Sequence, residues 1–248
     1  MRDDDTIDAF HNGRFVVRQP KKGHRAGLDS ILLASCVPAN ARGTLADLGA
    51  GSGAVAFAAL DRAPDLAATL YDDDPQACAR AEAGRREQPN RHFAERTSVV
   101  LRDVGQPMSG LPQGAFDYVL ANPPFNTARH RTSPDAGRAH AHAGNEELLA
   151  RWWRIARHML RSGGMAAFVV RPELLHSGSV RGFGAIRLTF VHPRRDRAAG
   201  RVVIVALKGR RTALSVAPPL IVHEADGTFT ARARSILAGE GGLFDAIG

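Results

Sequence analysis

Short apolar runs alternate along the chain with longer stretches whose apolar positions recur every three to four residues. Residues 45–48 form a brief buried-strand run after the Gly43-Thr44 break, and 54–62 has helical spacing that ends near Pro64. A second strand is predicted over 67–71. Pro75 then opens a helix at the position where its missing N–H costs nothing, and that helix runs to about Gln88. Strands follow at 97–101 and 116–121. Asn145 is placed to cap a long helix whose apolar positions include Leu148, Leu149, Trp152, Ile155, Ala156, Met159 and Leu160. Gly163-Gly164 stops it, and 166–170 is a fifth strand. The last two strands, 186–191 and 202–207, lie too close in sequence for a helical crossover and are expected to pair antiparallel. The alternation predicts an α/β fold: a mostly parallel seven-stranded sheet with one reversed strand and helices on both faces.

The chain of 248 residues suffices for one large core. It reads as a single domain over 1–248, with a cap at 1–40, the sheet core at 41–208 and an extension at 209–248. No apolar run is long enough to cross a bilayer. The acidic start, MRDDDTIDAF, resembles neither a secretory signal nor a transit peptide. Two cysteines, Cys36 and Cys78, cannot build a disulfide framework or a multi-cysteine zinc site, and no metal is expected. A cytoplasmic location is the simplest reading. Net charge is +8, from 33 Lys and Arg against 25 acids, which suits a polyanionic partner such as nucleic acid. Nearly all the basic residues are Arg, so coding bias is the alternative source of that excess. Aromatics are only 6%, too few for broad stacking platforms.

Two segments carry chemistry. The first, Asp47-Leu-Gly49-Ala-Gly51-Ser-Gly53, sets three glycines between a strand and a helix, so a ligand can press against the main chain beside a helix N-terminus. Asp72 ends the second strand and can accept both hydroxyls of a ribose, while Asp103 after the third can reach an adenine amine. An adenosine-bearing ligand is therefore expected at the carboxyl edge of the sheet. Gly49-x-Gly51-x-x-Ala54 satisfies a dinucleotide fingerprint, but the same residues read as the D-x-G-x-G-x-G form usual for S-adenosylmethionine (SAM). Asp47 favours SAM: an acid is useful near its ammonium or sulfonium and would repel a pyrophosphate.

The second segment ends the fourth strand with Asn122-Pro123-Pro124-Phe125. Two prolines fix φ twice and remove two donors, which holds the carbonyls of Asn122 and Pro123 rigid. The Asn122 side-chain oxygen and the Pro123 carbonyl can each accept a hydrogen from a planar NH2 group, and Phe125 can stack on the attached ring. An aromatic amine is a poor nucleophile because its lone pair is delocalised. Two acceptors on its hydrogens favour a pyramidal nitrogen whose lone pair points at an electrophilic carbon.

Together these residues resemble the class I SAM-dependent amino-methyltransferases, which have a Rossmann-like fold. More narrowly, the chain resembles the bacterial tRNA1(Val) adenine-N6 methyltransferase family. Gln19-Pro-Lys-Lys-Gly-His-Arg-Ala-Gly-Leu-Asp-Ser-Ile-Leu-Leu-Ala34 is similar to that family's Q-x-x-x-G-aromatic-R…D-x-x-L-L-A, and Leu220-Ile-Val-His-Glu-Ala-Asp-Gly-Thr-Phe-Thr230 to its L-x-x-H-x-x-D-G-x-aromatic-T. The resemblance implies SAM as cofactor, tRNA as partner and N6 methylation of an adenosine beside the anticodon. It also implies that Arg25 and Asp29 border the cofactor pocket. His24 departs from the family's usual Tyr or Phe.

The segment 126–144 is polar, basic and without periodicity, and is expected to be a mobile loop beside the site. Its Arg129, Arg131 and Arg138 are candidate RNA contacts; its His140 and His142 are poorly spaced for a metal. Arg194, Arg195, Arg197, Arg210 and Arg211 form a second basic group near the two final strands, of which Arg194 and Arg195 are the leading RNA candidates. Trp152 and Trp153 are expected in the core, and Asp226-Gly227 in a hairpin turn. Four other readings use the same residues differently. An N-methyltransferase of another RNA or DNA base, such as a guanine amine or a DNA adenine, would keep both cofactor and elbow. A protein-glutamine methyltransferase would use the same Asn-Pro-Pro-Phe elbow. A nucleic-acid-binding module would have lost catalysis. A nicotinamide dehydrogenase would need an acid or base that the sequence does not place.

Overall fold

The computed structural model describes residues 5–23, 25–104, 108, 110–123, 136–177 and 180–244; the side chains of 136–145 and 176–177 are outside that description. The chain opens with an antiparallel hairpin, β1 (Asp5–Phe10) and β2 (Phe15–Pro20), then α1 (Leu28–Ala34). The core begins with β3 (Arg42–Leu48), α2 (Ala54–Arg62), β4 (Asp65–Asp72) and α3 (Pro75–Gly84), followed by the short α4 (Arg91–Ala94) and β5 (Thr97–Leu101). It continues with β6 (Phe116–Ala121), α5 (Ala136–Met159), β7 (Leu160–Val170), β8 (Phe183–Arg194) and β9 (Arg201–Lys208). The two-residue β10 (Ser215–Val216), β11 (Leu220–His223) and α6 (Ala231–Leu237) close the described chain.

The core strands lie in the order β8-β9-β7-β6-β3-β4-β5. Only β9 is reversed: it is antiparallel to both β7 and β8, while the pairs among β3 to β7 are parallel. The expected seven strands are therefore present, and the described sheet is larger than expected. β10 and β11 both pair with β8, making nine strands, because the extension supplies backbone to an otherwise open edge.

Alternation along each parallel strand divides the core into two layers. Leu45, Leu120, Ala167 and Val169 face α1 and α2 with Phe15, Ile31 and Phe57. Ala46, Leu48, Val119, Ala121 and Phe168 face α5 with Trp152 and Trp153. Trp153 stacks on Phe168 at 4.1 Å between ring centroids and meets Phe183 edge-on, as its expected core role requires.

Three boundaries differ from expectation. α5 starts at Ala136, so residues 136–144 are helical and Asn145 is interior, not a cap. Alanines at 136, 139, 141 and 143 favour helix without an apolar stripe, which is why periodicity missed them. α3 ends at Gly84 rather than near Gln88: the buried Asn90 amide donates to the Gly84 and Val16 carbonyls, drawing the chain out of the helix. Gly163-Gly164 lies inside β7, where the pairing with β6 is irregular between Phe116 and Tyr118, and the last turn of the expected helix, Leu160, is already strand. The Asp226-Gly227 turn forms as read: the Glu224 N–H donates to the Thr228 carbonyl, and Gly227 has φ +88°.

Candidate active site at the sheet's carboxyl edge

The chain leaves β3 toward β4 and β5, then returns to β6 on the other side of β3. The crevice between the carboxyl ends of β3 and β6 is thus the topological switch point, where open α/β sheets bind ligands. Leu48 and Ala121 are register partners across it. The residues that follow them, Gly49 and Asn122, start the glycine loop and the proline elbow.

All three loop glycines are left-handed, with φ of +63°, +56° and +88° at Gly49, Gly51 and Gly53. Their surroundings differ. A Cβ at Gly49 would stand 2.6 Å from the Trp152 ring, and one at Gly53 would stand 2.8 Å from Leu70. A Cβ at Gly51 would meet no protein atom within 4 Å. The outer glycines are therefore needed for packing, and Gly51 keeps open the space in front of the main chain.

The acids hold this loop. Asp72 accepts the Gly51 N–H at 2.7 Å with one oxygen and the Asp74 N–H at 2.9 Å with the other. Burial raises its pKa, and those two hydrogen bonds oppose the rise. Asp47 is buried beneath the loop and accepts the Ala56 N–H at 3.1 Å. It thereby caps α2, which Gly53, without a side chain, cannot do. Burial pushes its carboxyl up to about 8; the Ala56 N–H lowers it and nearby Asp72 raises it further. This capping role was missed in the sequence because the acid lies seven residues before the first residue of its helix. Asp103, half-buried, follows β5 on the same edge, and the Arg102 N–H bonds the Asp72 carbonyl at 2.7 Å, tying the two strand ends together.

Asn122 is partly exposed and Pro123 is buried. Pro124, Phe125, Arg129 and Arg131 lie outside the described residues, as does the Arg138 side chain, with His24, His130, His140 and His142. Arg25 donates to the Pro20 carbonyl at 3.0 Å and pairs with Asp8. The buried Gln19 shapes this turn: its amide donates to Asp8 and accepts the Ala26 N–H. Asp29 pairs with Arg201 at 2.8 Å, which joins α1 to the start of β9. Arg201 begins the reversed strand, so this pair also stands at the carboxyl edge. Sequence reasoning missed Arg201, whose partner is 172 residues away.

The second basic group does not stay together. Arg194 and Arg195 lie at the end of β8, on the carboxyl edge with Asn122. Arg210 and Arg211 follow the end of reversed β9 and lie on the opposite edge. Proximity in sequence to both strands hid this, because a hairpin's tip and its open end face opposite ways. Cys36 and Cys78 are free and buried, and burial raises both thiols. Among the described residues no cluster of three or more His, Cys, Asp or Glu could hold a metal, and no helix is long and apolar enough to cross a membrane.

Fold and family together define an α/β methyltransferase, with the switch-point crevice between β3 and β6 as its candidate site. The chain belongs to the Methyltransferase small domain family, whose model matches residues 24–181. Its relatives include the tRNA1(Val) (adenine(37)-N6)-methyltransferase of Aeromonas hydrophila, 28% identical over 88% of this chain and 91% of that protein. The protein of the same name from Tolumonas auensis is 26% identical over 90% and 92%. Among solved structures, a predicted O-methyltransferase from Agrobacterium tumefaciens is similar at 30% identity and a TM-score of 0.72, covering 86% of this chain and 97% of that one. The Thermus thermophilus 16S rRNA N2 G1207 methyltransferase, solved with AdoMet and guanosine, shares the fold at 18% identity and a TM-score of 0.58, over 82% of this chain and 50% of that one.

Proposed function

We propose that this chain is a SAM-dependent methyltransferase of the exocyclic N6 amine of an adenosine in tRNA, next to the anticodon. One observation carries the reading: Asn122 and the glycine loop leave adjacent paired strands at the switch point. An amine held by the first therefore lies beside a cofactor held by the second. The near full-length match to relatives named for this reaction supports adenosine in tRNA over other amines.

The residues present suit SAM. Gly51 leaves open the space that a side chain would fill. Asp72 is placed for a ribose, Asp103 for an adenine amine, and Asp47 for a positive charge, with Gly49 and Gly53 shaping the turn and Arg25 and Asp29 bordering the pocket. Bound SAM supplies an electrophilic methyl on a positive sulfur. Asn122 and the Pro123 carbonyl accept the two amine hydrogens and localise the nitrogen lone pair. Pro124 stiffens the elbow and Phe125 stacks on the base. No general base is needed before attack, since the proton leaves afterwards.

A target base in folded RNA must be turned out of its stack, which requires a grip on the flanking backbone. Arg194 and Arg195 on the same edge, with Arg129, Arg131 and Arg138, are the proposed phosphate contacts. All 248 residues serve one methyltransferase domain in this reading, and the tRNA substrate implies a cytoplasmic enzyme.

The test is methylation of total RNA from a strain lacking the protein, with labelled SAM, followed by nucleoside mass spectrometry. N6-methyladenosine in the tRNA fraction is the expected product. Label only in protein glutamine, or only in a guanine, would overturn the assignment.

A further inference from the structure

At the amino edge of the sheet, opposite the proposed active site, a cleft of about 500 Å³ opens. Arg154, Arg157 and His158 of α5 and Lys208 at the end of β9 line it, and among the described residues no acidic side chain does. The exposed Arg157 side chain runs close over Gly182, where a Cβ would stand 2.7 Å from its Cδ. Lys208 donates from Nζ to the Leu160 carbonyl, which fixes its position. Its pKa is lowered, first by burial and then by Arg157. Arg157 and Lys208 thus line the same cleft, and an anion there would be favoured by both charges. Arg210 and Arg211 follow Lys208 on the same edge.

The cleft is not isolated. Between positions 151 and 157 of α5, the exposed residues are Arg151, Arg154 and Arg157, while Trp152, Trp153, Ile155 and Ala156 are buried. Each three-residue step advances about 4.5 Å along the helix. α5 ends at Met159, where β7 begins pairing with the start of β6, so this arginine row runs toward the amino edge and ends in the cleft.

We propose that the cleft and the arginine row bind backbone phosphates of the RNA substrate, as a second anchorage remote from the reacting base. The inference rests on the RNA reading above. β6 has six residues, so the cleft lies about 20 Å from the elbow, too far to touch the target nucleotide. Its contacts therefore act on RNA affinity and not on methyl transfer. The openness of the lining, with exposed Arg154 and Arg157 continuing along the helix, fits a polymer backbone better than a small enclosed anion.

The test measures tRNA binding against salt concentration for the wild type, Arg154→Gln, Lys208→Gln and Arg157→Gln. Each lost phosphate contact is expected to weaken tRNA binding about ten-fold and to lower the slope of log K against log salt by about 0.7–0.9. SAM affinity and kcat at saturating tRNA stay at wild-type values, and thermal melting checks that each variant is folded. Variants with wild-type tRNA affinity and salt slope would overturn the proposal. Titration with inorganic phosphate gives the second arm: saturable binding lost in variants that still bind tRNA normally would assign the cleft to a free anion instead. A wild-type protein that neither binds nor methylates tRNA would overturn the functional reading itself, and is distinguished because it needs no variant.

Discussion

The Trp152 ring closes so tightly on Gly49 that a Cβ there would stand 2.6 Å from it, whereas two residues on a Cβ at Gly51 would meet nothing. The two positions share a left-handed backbone but differ in what fills the space beyond it. Gly49→Ala adds overpacking of a buried ring to backbone strain and is expected to cost about 2–4 kcal/mol of folding stability. Gly51→Ala incurs only the strain, about 1–2 kcal/mol, and places its methyl in the space proposed for the cofactor. Denaturant unfolding and calorimetric SAM titration check this together. Gly51→Ala is expected to fold and lose SAM affinity at least ten-fold; unaltered SAM binding would move the cofactor away from this loop.

Asn122→Ala separates binding from transfer. Asn122 follows β6, whereas Asp47, Asp72 and Asp103, the proposed cofactor contacts, lie on β3, at the end of β4 and after β5. SAM affinity is therefore expected to stay within a few-fold while single-turnover methylation falls about 10²–10³-fold, as for loss of one preorganised polar contact to the reacting group. Asn122→Asp keeps an acceptor oxygen but adds a charge, and is expected to restore transfer only in part. Equal losses of SAM binding and transfer would show that Asn122 serves the cofactor and not the amine.

Much of this arrangement is legible in the sequence, for identifiable reasons. α2, β5 and β6 match the predicted spans because each is bounded by Gly, Pro or polar breaks and carries an apolar pattern that admits one period. The glycine loop is legible because left-handed turns restrict residue type. What escaped detection depends on distant partners. Asp29 is held by Arg201, and Gln19 bridges Asp8 and the Ala26 N–H, contacts that no local spacing encodes. The division of the arginines between the two edges follows from the reversed direction of β9, which the sequence reading had predicted without drawing its consequence. The N-terminal β1–β2 hairpin was legible and was overlooked: Asn12-Gly13 is a hairpin signal, and His11, Asn12 and Gly13 are all left-handed in the turn.

Asp72 has two roles that a pair of variants can separate. Its oxygens accept the Gly51 and Asp74 N–H groups, and the proposed function adds a ribose to their partners. Asp72→Asn keeps one acceptor oxygen, while Asp72→Ala keeps none. A hydrogen bond to a charged group contributes about 1.5–3 kcal/mol, so Asp72→Ala is expected to weaken SAM binding about 10–100-fold, with Asn intermediate. Hydrogen exchange at the Gly51 amide should quicken in Asp72→Ala even without ligand. Slow exchange there would mean that the loop does not need this carboxylate.

Asp47 gives the chain a pH dependence of unusual sign. Its carboxyl is pushed up to about 8 by burial, so between about pH 4 and pH 8 the folded chain holds a proton that the unfolded chain has released. Stability from this group is therefore lost as pH rises through that window, opposite to the behaviour of a salt-bridged acid. Asp47→Asn keeps an oxygen for the Ala56 N–H and removes the titration. It is expected to flatten the thermal stability profile and to raise Tm at pH 8, by about 2–4 °C for each kcal/mol recovered. The same group reports on the ligand. A cationic ammonium or sulfonium beside Asp47 lowers its pKa, so SAM binding near pH 7 should release up to about one proton from the wild type and none from Asp47→Asn. Calorimetry in buffers of different ionisation enthalpy measures that release directly. A wild-type binding enthalpy independent of buffer would show that the positive end of the cofactor does not reach this carboxyl, and that Asp47 serves α2 alone.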